Sequence, residues 1–143
     1  MKGKKLLVLG LAALVLALAV TGCSKAGKYY LSSAHSDYYD KDYDADEIEE
    51  ETGWDAKKTY LELKSDKTFA MYIDGEKVCK GDYSVDGDSV KLTFKGTDGE
   101  KHKVKCKVNG SKLTIKDPTE LQYVDVTGAA TFRYLSNLEL KKK

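Results

Sequence analysis

The chain of 143 residues carries 24 basic and 23 acidic residues, a formal charge of +1, with one proline and ten tyrosines. This balance excludes the strong positive field that draws proteins to nucleic acid, so we expect no nucleic-acid partner. Beyond the N-terminal segment, roughly 120 residues remain, the length of one domain with a single core. The many tyrosines and the single proline favour strands over helices.

The N-terminal segment is typical of a secretory signal. A basic start precedes an apolar run of 15 residues from Leu6 to Val20, and Thr21, Gly22 and Cys23 follow. As a helix this run would span about 22 Å, less than the roughly 30 Å hydrocarbon core of a bilayer. We therefore favour a signal helix over a retained transmembrane helix.

The end of this segment, Val20-Thr21-Gly22-Cys23, resembles the lipobox of bacterial lipoproteins. The resemblance implies that residues 1–22 are a lipoprotein signal peptide and that Cys23 becomes a lipidated N-terminus with acyl chains such as palmitate. Two acyl chains hold a protein stably on a bilayer. Residues 23–26 would then form a tether on the extracytoplasmic face of the cell membrane. The alternative is an ordinary secretory signal with an incidental cysteine.

After the signal, charge is unevenly distributed. Residues 23–57, the acidic front, hold 4 lysines and 10 acidic residues, whereas residues 58–143 hold 17 basic and 13 acidic residues. A first strand is predicted from Gly27 to Ser33. The tyrosines of the front suit a binding surface, but we interpret them as lining strands and a linker.

The stretch DKDYDADEIEEE, residues 40–51, has the spacing of acids found in an EF-hand calcium loop at positions 1, 3, 5 and 12. Ala45 stands where that loop needs glycine, and no convincing helix precedes it. Asp44 can instead cap a short helix with Glu47 three residues on, and Gly53 can end it. We predict a linker, then a capped acidic helix at a barrel mouth, with no metal site. Weak calcium association of this acidic surface stays open.

From Lys58 onward, short alternating segments are separated by turn dipeptides 8 to 12 residues apart. This spacing predicts a meander of antiparallel hairpins. Alternation assigns one apolar face to the core. Its members are Leu61, Leu63, Phe69, Met71, Ile73, Cys79, Tyr83, Val85, Val90, Leu92, Phe94, Val104, Cys106, Val108, Leu113, Ile115, Phe132, Tyr134, Leu138 and Leu140.

Eight or nine strands with one apolar face would leave open edges unless the sheet closes. We therefore predict an all-β fold: a small up-and-down antiparallel β-barrel of about 8 strands with one short helix, over residues 27–143. An open sandwich is the second choice.

Several motifs resemble those of the small lipocalin-like lipoproteins of Gram-positive bacteria. They are Gly27-x-Tyr29, the acidic helix ending in Gly53, Tyr60-Leu61-Glu62-Leu63 with Asp66-Lys67-Thr68, and Gly81-Asp82-Tyr83 with Gly87-Asp88. Two positions depart from the family: Lys67 stands where glycine is usual, and Tyr83 where tryptophan is usual. The resemblance implies a lipocalin-like barrel and no reaction.

The remaining cysteines and histidines give no clear catalytic pattern. Cys79 and Cys106 are an even pair, which favours a disulfide, but one strand between them would separate their Cα atoms by nearly 10 Å, beyond the roughly 7 Å limit. We favour free buried thiols. Neither His35 nor His102 has the partners of a triad or a zinc site, and we predict His102 at the barrel rim.

We therefore expect a membrane-anchored, monomeric binding module rather than an enzyme, with no cofactor. A small apolar ligand would lie in the barrel interior. The candidate ligand-binding residues are Phe69, Met71, Tyr83, Leu92, Phe94, Phe132 and Tyr134. The alternative is a structural or protein-interaction lipoprotein whose barrel is filled by its own side chains.

Overall fold

The computed structural model describes residues 24–143, so the predicted signal segment and Cys23 lie outside the described residues. Nine strands, one α-helix and three 3₁₀ helices make up the described chain. The strands are β1 (Gly27–Ser36), β2 (Lys41–Asp44), β3 (Tyr60–Leu63), β4 (Thr68–Ile73), β5 (Glu76–Asp86), β6 (Ser89–Lys95), β7 (Lys101–Asn109), β8 (Lys112–Lys116) and β9 (Asn137–Lys142). The helices are α1 (Ala45–Thr52) and the 3₁₀ helices Ala56–Lys58, Pro118–Tyr123 and Ala129–Tyr134.

The sheet closes on itself between β1 and β9. Strands β3 to β9 pair in chain order, β1 pairs with β3, and β9 returns to β1. All these pairings are antiparallel. The prediction of an up-and-down barrel of eight strands is therefore confirmed, and β2 is an additional strand outside the closed ring.

Alternation of side chains builds the core. On β7, His102, Val104, Cys106 and Val108 are buried and the lysines between them are exposed. The same parity holds for the predicted inward residues of β3, β4, β6 and β8. On β5 a bulge opposite Met71 and Tyr72 buries Val78 and leaves Cys79 half-buried.

The segment before β9 differs from the prediction. Phe132 and Tyr134 were expected on a strand, but they lie on the 3₁₀ helix Ala129–Tyr134, and β9 begins only at Asn137. Gly128, at φ 89°, starts this helix in the left-handed conformation that glycine tolerates best. Phe132 is buried, whereas Tyr134 is 37% exposed.

The pairing directions give the barrel two unlike ends. One end, here called the base, carries the β3–β4, β5–β6 and β7–β8 turns and both termini of the described chain. The opposite end, here called the mouth, carries the β1–β2 turn, α1 and the long connection from β8 to β9. No helix within residues 24–143 has the length and apolarity needed to cross a membrane.

Helix α1 forms where the sequence predicted it. The Asp44 carboxylate accepts from Glu47 N at 2.8 Å, the Glu47 carboxylate accepts from Asp44 N at 3.1 Å, and Gly53 ends the helix at φ 81°. The stretch before it is strand β2 rather than the expected linker, because residues Lys41–Asp44 pair back onto β1. Asp44 is thus engaged in the cap, and residues 24–143 contain no cluster of three or more candidate metal ligands.

Candidate functional site

A cavity of about 490 Å³ occupies the part of the barrel nearer the mouth and opens there. Most of its lining is aliphatic or aromatic. The lining side chains on the strands are Leu31, Ala34, Tyr43, Tyr60, Leu61, Met71, Leu92, Ile115, Leu138 and Leu140. Those on the helices and connections are Tyr39, Ile48, Glu51, Thr52, Trp54, Thr59, Leu121, Ala130, Thr131, Phe132, Tyr134 and Leu135.

The opening lies where β1 changes its partner. Residues Gly27–Tyr30 of β1 pair with β3, whereas Ser33–Ser36 pair with β2, so the two neighbours diverge above Tyr30. Helix α1 follows β2 directly and places Ile48 in the gap. The barrel wall is consequently replaced there by a helix and the turn of a hairpin.

Aromatic packing covers the cavity from the side of the β8–β9 connection. The rings of Trp54 and Phe132 are stacked with centroids 5.3 Å apart, and both are buried. The backbone N–H of Trp54 donates to Thr52 Oγ1 at 3.0 Å, which fixes the chain just after α1. The rings of Tyr38, Tyr39 and Tyr134 pack together beside them at the surface, with centroids 4.8 to 6.0 Å apart.

The buried polar groups of the lining are satisfied by the protein itself. Thr59 Oγ1 donates to Asp55 O at 2.9 Å and accepts from Asp74 N at 3.1 Å. No buried side-chain nitrogen or oxygen of the described residues lacks a hydrogen-bond partner. Such a lining favours contacts with apolar surface, and it leaves polar recognition to the rim.

The structure divides the seven candidate ligand-binding residues between two places. Met71, Leu92, Phe132 and Tyr134 line the cavity, with Tyr134 at its rim. Phe69, Tyr83 and Phe94 are also buried, but they do not line it.

The three remaining rings fill the rest of the barrel interior. Phe69 and Phe94 are paired across Gly81. At Gly81 an added Cβ would come within 1.9 Å of the Thr93 carbonyl oxygen, so only glycine allows this close packing. The Tyr83 hydroxyl donates to Lys64 O and is thereby held away from the cavity. Large rings therefore fill one part of the interior, while leucine, isoleucine, methionine and alanine leave the other part empty.

A sequence profile of the lipocalin-like domain matches residues 26–115. The chain belongs to the lipocalin-like domain family. The match covers β1 to β8 almost completely and ends before the β8–β9 connection and β9. A lipocalin-like barrel with an open cavity is suited in general to binding a small ligand. Among curated proteins and among solved structures, none matches this chain.

Sequence reasoning missed the cavity residues that this lipocalin-like barrel carries outside its regular strands. Leu121, Thr131 and Leu135 lie beyond the matched part of the chain, on the connection from β8 to β9. Asp117-Pro118, a helix-start signal, could have placed Leu121, since Asp117 caps the 3₁₀ helix Pro118–Tyr123. Tyr39 and Tyr43 also line the cavity, so the interpretation of these two tyrosines as linker residues was incomplete.

The two thiols are held apart on β5 and β7, with β6 between them, and both are free. Burial raises the pKa of Cys79 and that of Cys106 to about 12. Thiols that stay protonated at neutral pH are poor nucleophiles. Neither cysteine lines the cavity.

His102 holds the connection that carries Leu121. Its Nδ1 lies 2.7 Å from Glu120 Oε1 and its Nε2 lies 2.9 Å from Asp98 Oδ1, while its ring stacks on Tyr123 at 4.1 Å. Only the protonated ring can donate to both carboxylates at once. Burial lowers the pKa of His102, but the hydrogen bonds to Asp98 and Glu120 outweigh it, and the net shift is upward from the ordinary 6.5.

This shift makes the attachment pH-dependent. Because the folded-state pKa of His102 is raised, its contribution to stability is complete below pH 6.5 and is lost as the pH rises through the raised pKa. We expect His102→Gln to lower the melting temperature more at pH 5.5 than at pH 8.5. Lys103→Gln, on the solvent face of the same strand, is the control and should give a difference that does not change with pH. An equal loss at both pH values for His102→Gln would contradict this role.

Proposed function

We propose that this protein is a lipid-anchored lipoprotein of the extracytoplasmic face of the cell membrane whose lipocalin-like barrel binds a small apolar ligand. The observation that carries the proposal is the cavity of about 490 Å³ with its largely apolar lining. Ligand pockets in proteins hold about 300 to 1,000 Å³. A barrel filled by its own side chains would leave less than this, so the filled-barrel alternative is disfavoured.

The energetics of the cavity favour a ligand with an alkyl or ring body. Transfer of one methylene from water to an apolar site contributes about 0.8 kcal/mol. About ten methylenes would supply roughly 8 kcal/mol, and the loss of translational freedom and ligand flexibility offsets part of it. A full contribution of about 8 kcal/mol would correspond to a dissociation constant of about 1 μM, so after these losses we expect a simple ten-carbon compound to bind in the micromolar to millimolar range.

The position of the N-terminus supports an anchor at the base. Strand β1 begins at Gly27, four residues after Cys23, and four extended residues reach at most about 14 Å. Lys25 Nζ donates to Val108 O at 3.4 Å, and Tyr29 Oη donates to Lys25 O at 2.7 Å, so the chain crosses the base before it enters β1. A lipidated Cys23 would keep the base near the membrane and turn the mouth toward the surrounding space.

We also propose a monomer without catalytic activity. The site offers hydrocarbon surface, hydroxyl groups and one carboxylate, Glu51, rather than a nucleophile beside a base. Each histidine is hydrogen-bonded to two carboxylates. His35 contacts Asp37 and Asp42, and His102 contacts Asp98 and Glu120. Neither ring lines the cavity.

Filling the cavity should abolish ligand binding. Ala34 is buried on β1 and lines the cavity, and Ala34→Phe would place a ring in the empty space. We expect the wild-type protein to bind the neutral dye N-phenyl-1-naphthylamine at micromolar concentration, with energy transfer from Trp54, the one tryptophan of the chain. Ala34→Phe should weaken this binding at least about tenfold, since it removes the apolar volume that the dye occupies.

The matched control is Ser84→Phe, which adds the same ring on the exposed face of β5. Circular dichroism and the melting temperature establish that both variants are folded. A folded Ala34→Phe protein that binds the dye as tightly as wild type would place the dye elsewhere, and a wild-type protein that does not bind it would refute the proposed function.

The anchor is tested at Cys23, outside the described residues. In a bacterial host that processes lipoproteins, we expect an alkyne analogue of palmitate to label the wild-type protein and the protein to sediment with membranes. Cys23→Ala should remove both the label and the sedimentation, whereas the double variant Cys79→Ala/Cys106→Ala should keep them. Unlabelled wild-type protein recovered from the medium would indicate an ordinary secreted protein.

A further inference from the structure

The charge around the cavity distinguishes between ligands that share an apolar body. Of the 22 residues that line it, Glu51 is the one with a formal charge. The other polar side chains of the lining are neutral: the hydroxyls of tyrosine and threonine and the indole N–H of Trp54. A ligand head at the rim therefore meets a carboxylate and no lining ammonium or guanidinium group.

Helix α1 extends this negative charge. Its eight residues include Asp46, Glu47, Glu49, Glu50 and Glu51, with no basic residue in the last turn. Glu51 lies in that last turn, where the helix dipole is negative and an acidic side chain is unfavourable. Among the salt bridges of residues 24–143, only Lys41 with Glu47, at 3.6 Å, involves this helix. Glu51 has no cationic partner there, and a bound cation would relieve the repulsion.

The tyrosine rings that line the cavity near the mouth, Tyr39, Tyr43 and Tyr134, are also suited to a cation. Lys41 Nζ lies 4.8 Å from the centroid of the Tyr43 ring, and the Arg133 guanidinium carbon lies 5.9 Å from that of Tyr134. Faces of tyrosine rings attract cations through their quadrupole. Tyr39, which also lines the cavity, is 57% exposed.

Lys41 and Arg133 themselves could attract an anionic head, so their positions matter. Neither residue lines the cavity. Lys41 is engaged with Glu47, and Arg133 lies over the Tyr134 ring. Glu51 is exposed, but unlike either cation it is one of the residues that line the cavity.

We propose that the cavity takes an amphipathic cation, a molecule with an apolar body and an ammonium-type head, and that the head lies beside Glu51. This inference rests on the proposed binding of an apolar ligand. The volume of about 490 Å³ has room for about 16 groups the size of a water molecule, at about 30 Å³ each. A ten-carbon chain with a small head is within this limit.

The test compares three compounds with the same ten-carbon chain: decyltrimethylammonium, decanol and decanoate. The measurement is displacement of N-phenyl-1-naphthylamine from the wild-type barrel by each compound, at pH 7 and low salt and below the micelle concentration of that compound. We expect the cation to bind about fivefold more tightly than decanoate, the upper end of what an exposed charge pair contributes. Decanoate that binds as tightly as the cation, or more tightly, would overturn the inference and leave the proposed apolar binding intact.

The role of Glu51 is tested by Glu51→Gln against Glu50→Gln. Both remove one negative charge from α1, but Glu50 does not line the cavity. We expect Glu51→Gln to weaken the binding of decyltrimethylammonium about fivefold without changing the affinity for decanol. Glu50→Gln should change neither affinity by much. An unchanged ratio of cation to decanol in Glu51→Gln would also overturn the inference. Failure of all three compounds to displace the dye or to bind would refute the proposed function itself.

Discussion

The pairing of β1 on both of its edges is the constraint on which the rest of the structure depends. A strand with an unpaired edge exposes donors and acceptors that must find partners. Here β9 occupies one edge of β1, while β3 and then β2 share the other. The ten residues of β1 are long enough to pair with all three strands. Pairing of β1 with β9 and β3 closes the ring of strands. At the mouth β1 pairs with β2 instead of β3, and the gap between β2 and β3 leaves an opening.

The regular part of the barrel follows from short-range rules that the sequence displays directly. Alternation on β7 and Asp-Gly or Asn-Gly turns are local signals, so strand order and inward faces could be predicted. One turn departs from the usual pattern without changing the fold: Lys67 adopts φ 70° at the position where the family usually has glycine. The closure of β9 onto β1 could be predicted as the first choice, because a closed ring of eight or nine half-apolar strands leaves no open edge, whereas an open sandwich does.

The hollow part of the barrel could not be predicted in the same way. Inward-facing residues are alike in pattern whether they fill the interior or line a space. Phe69 and Phe94 fill the interior because Gly81 lets their strands pack closely, whereas Met71 and Leu92 end at empty volume. The contact of His102 with Glu120 joins residues 18 positions apart, through a 3₁₀ helix that has no strong periodic signal. Such features depend on the assembled tertiary structure.

The empty, apolar character of the cavity can be tested directly by xenon binding. Xenon enters cavities that are lined by hydrocarbon and avoids hydrated polar sites. A crystal structure of residues 24–143 under xenon pressure should show xenon density between Leu92, Ile115 and Leu138, with the barrel otherwise unchanged. Collapse of Trp54 and Phe132 into this space, or a cavity without xenon that is filled by ordered water, would contradict a preformed apolar binding site.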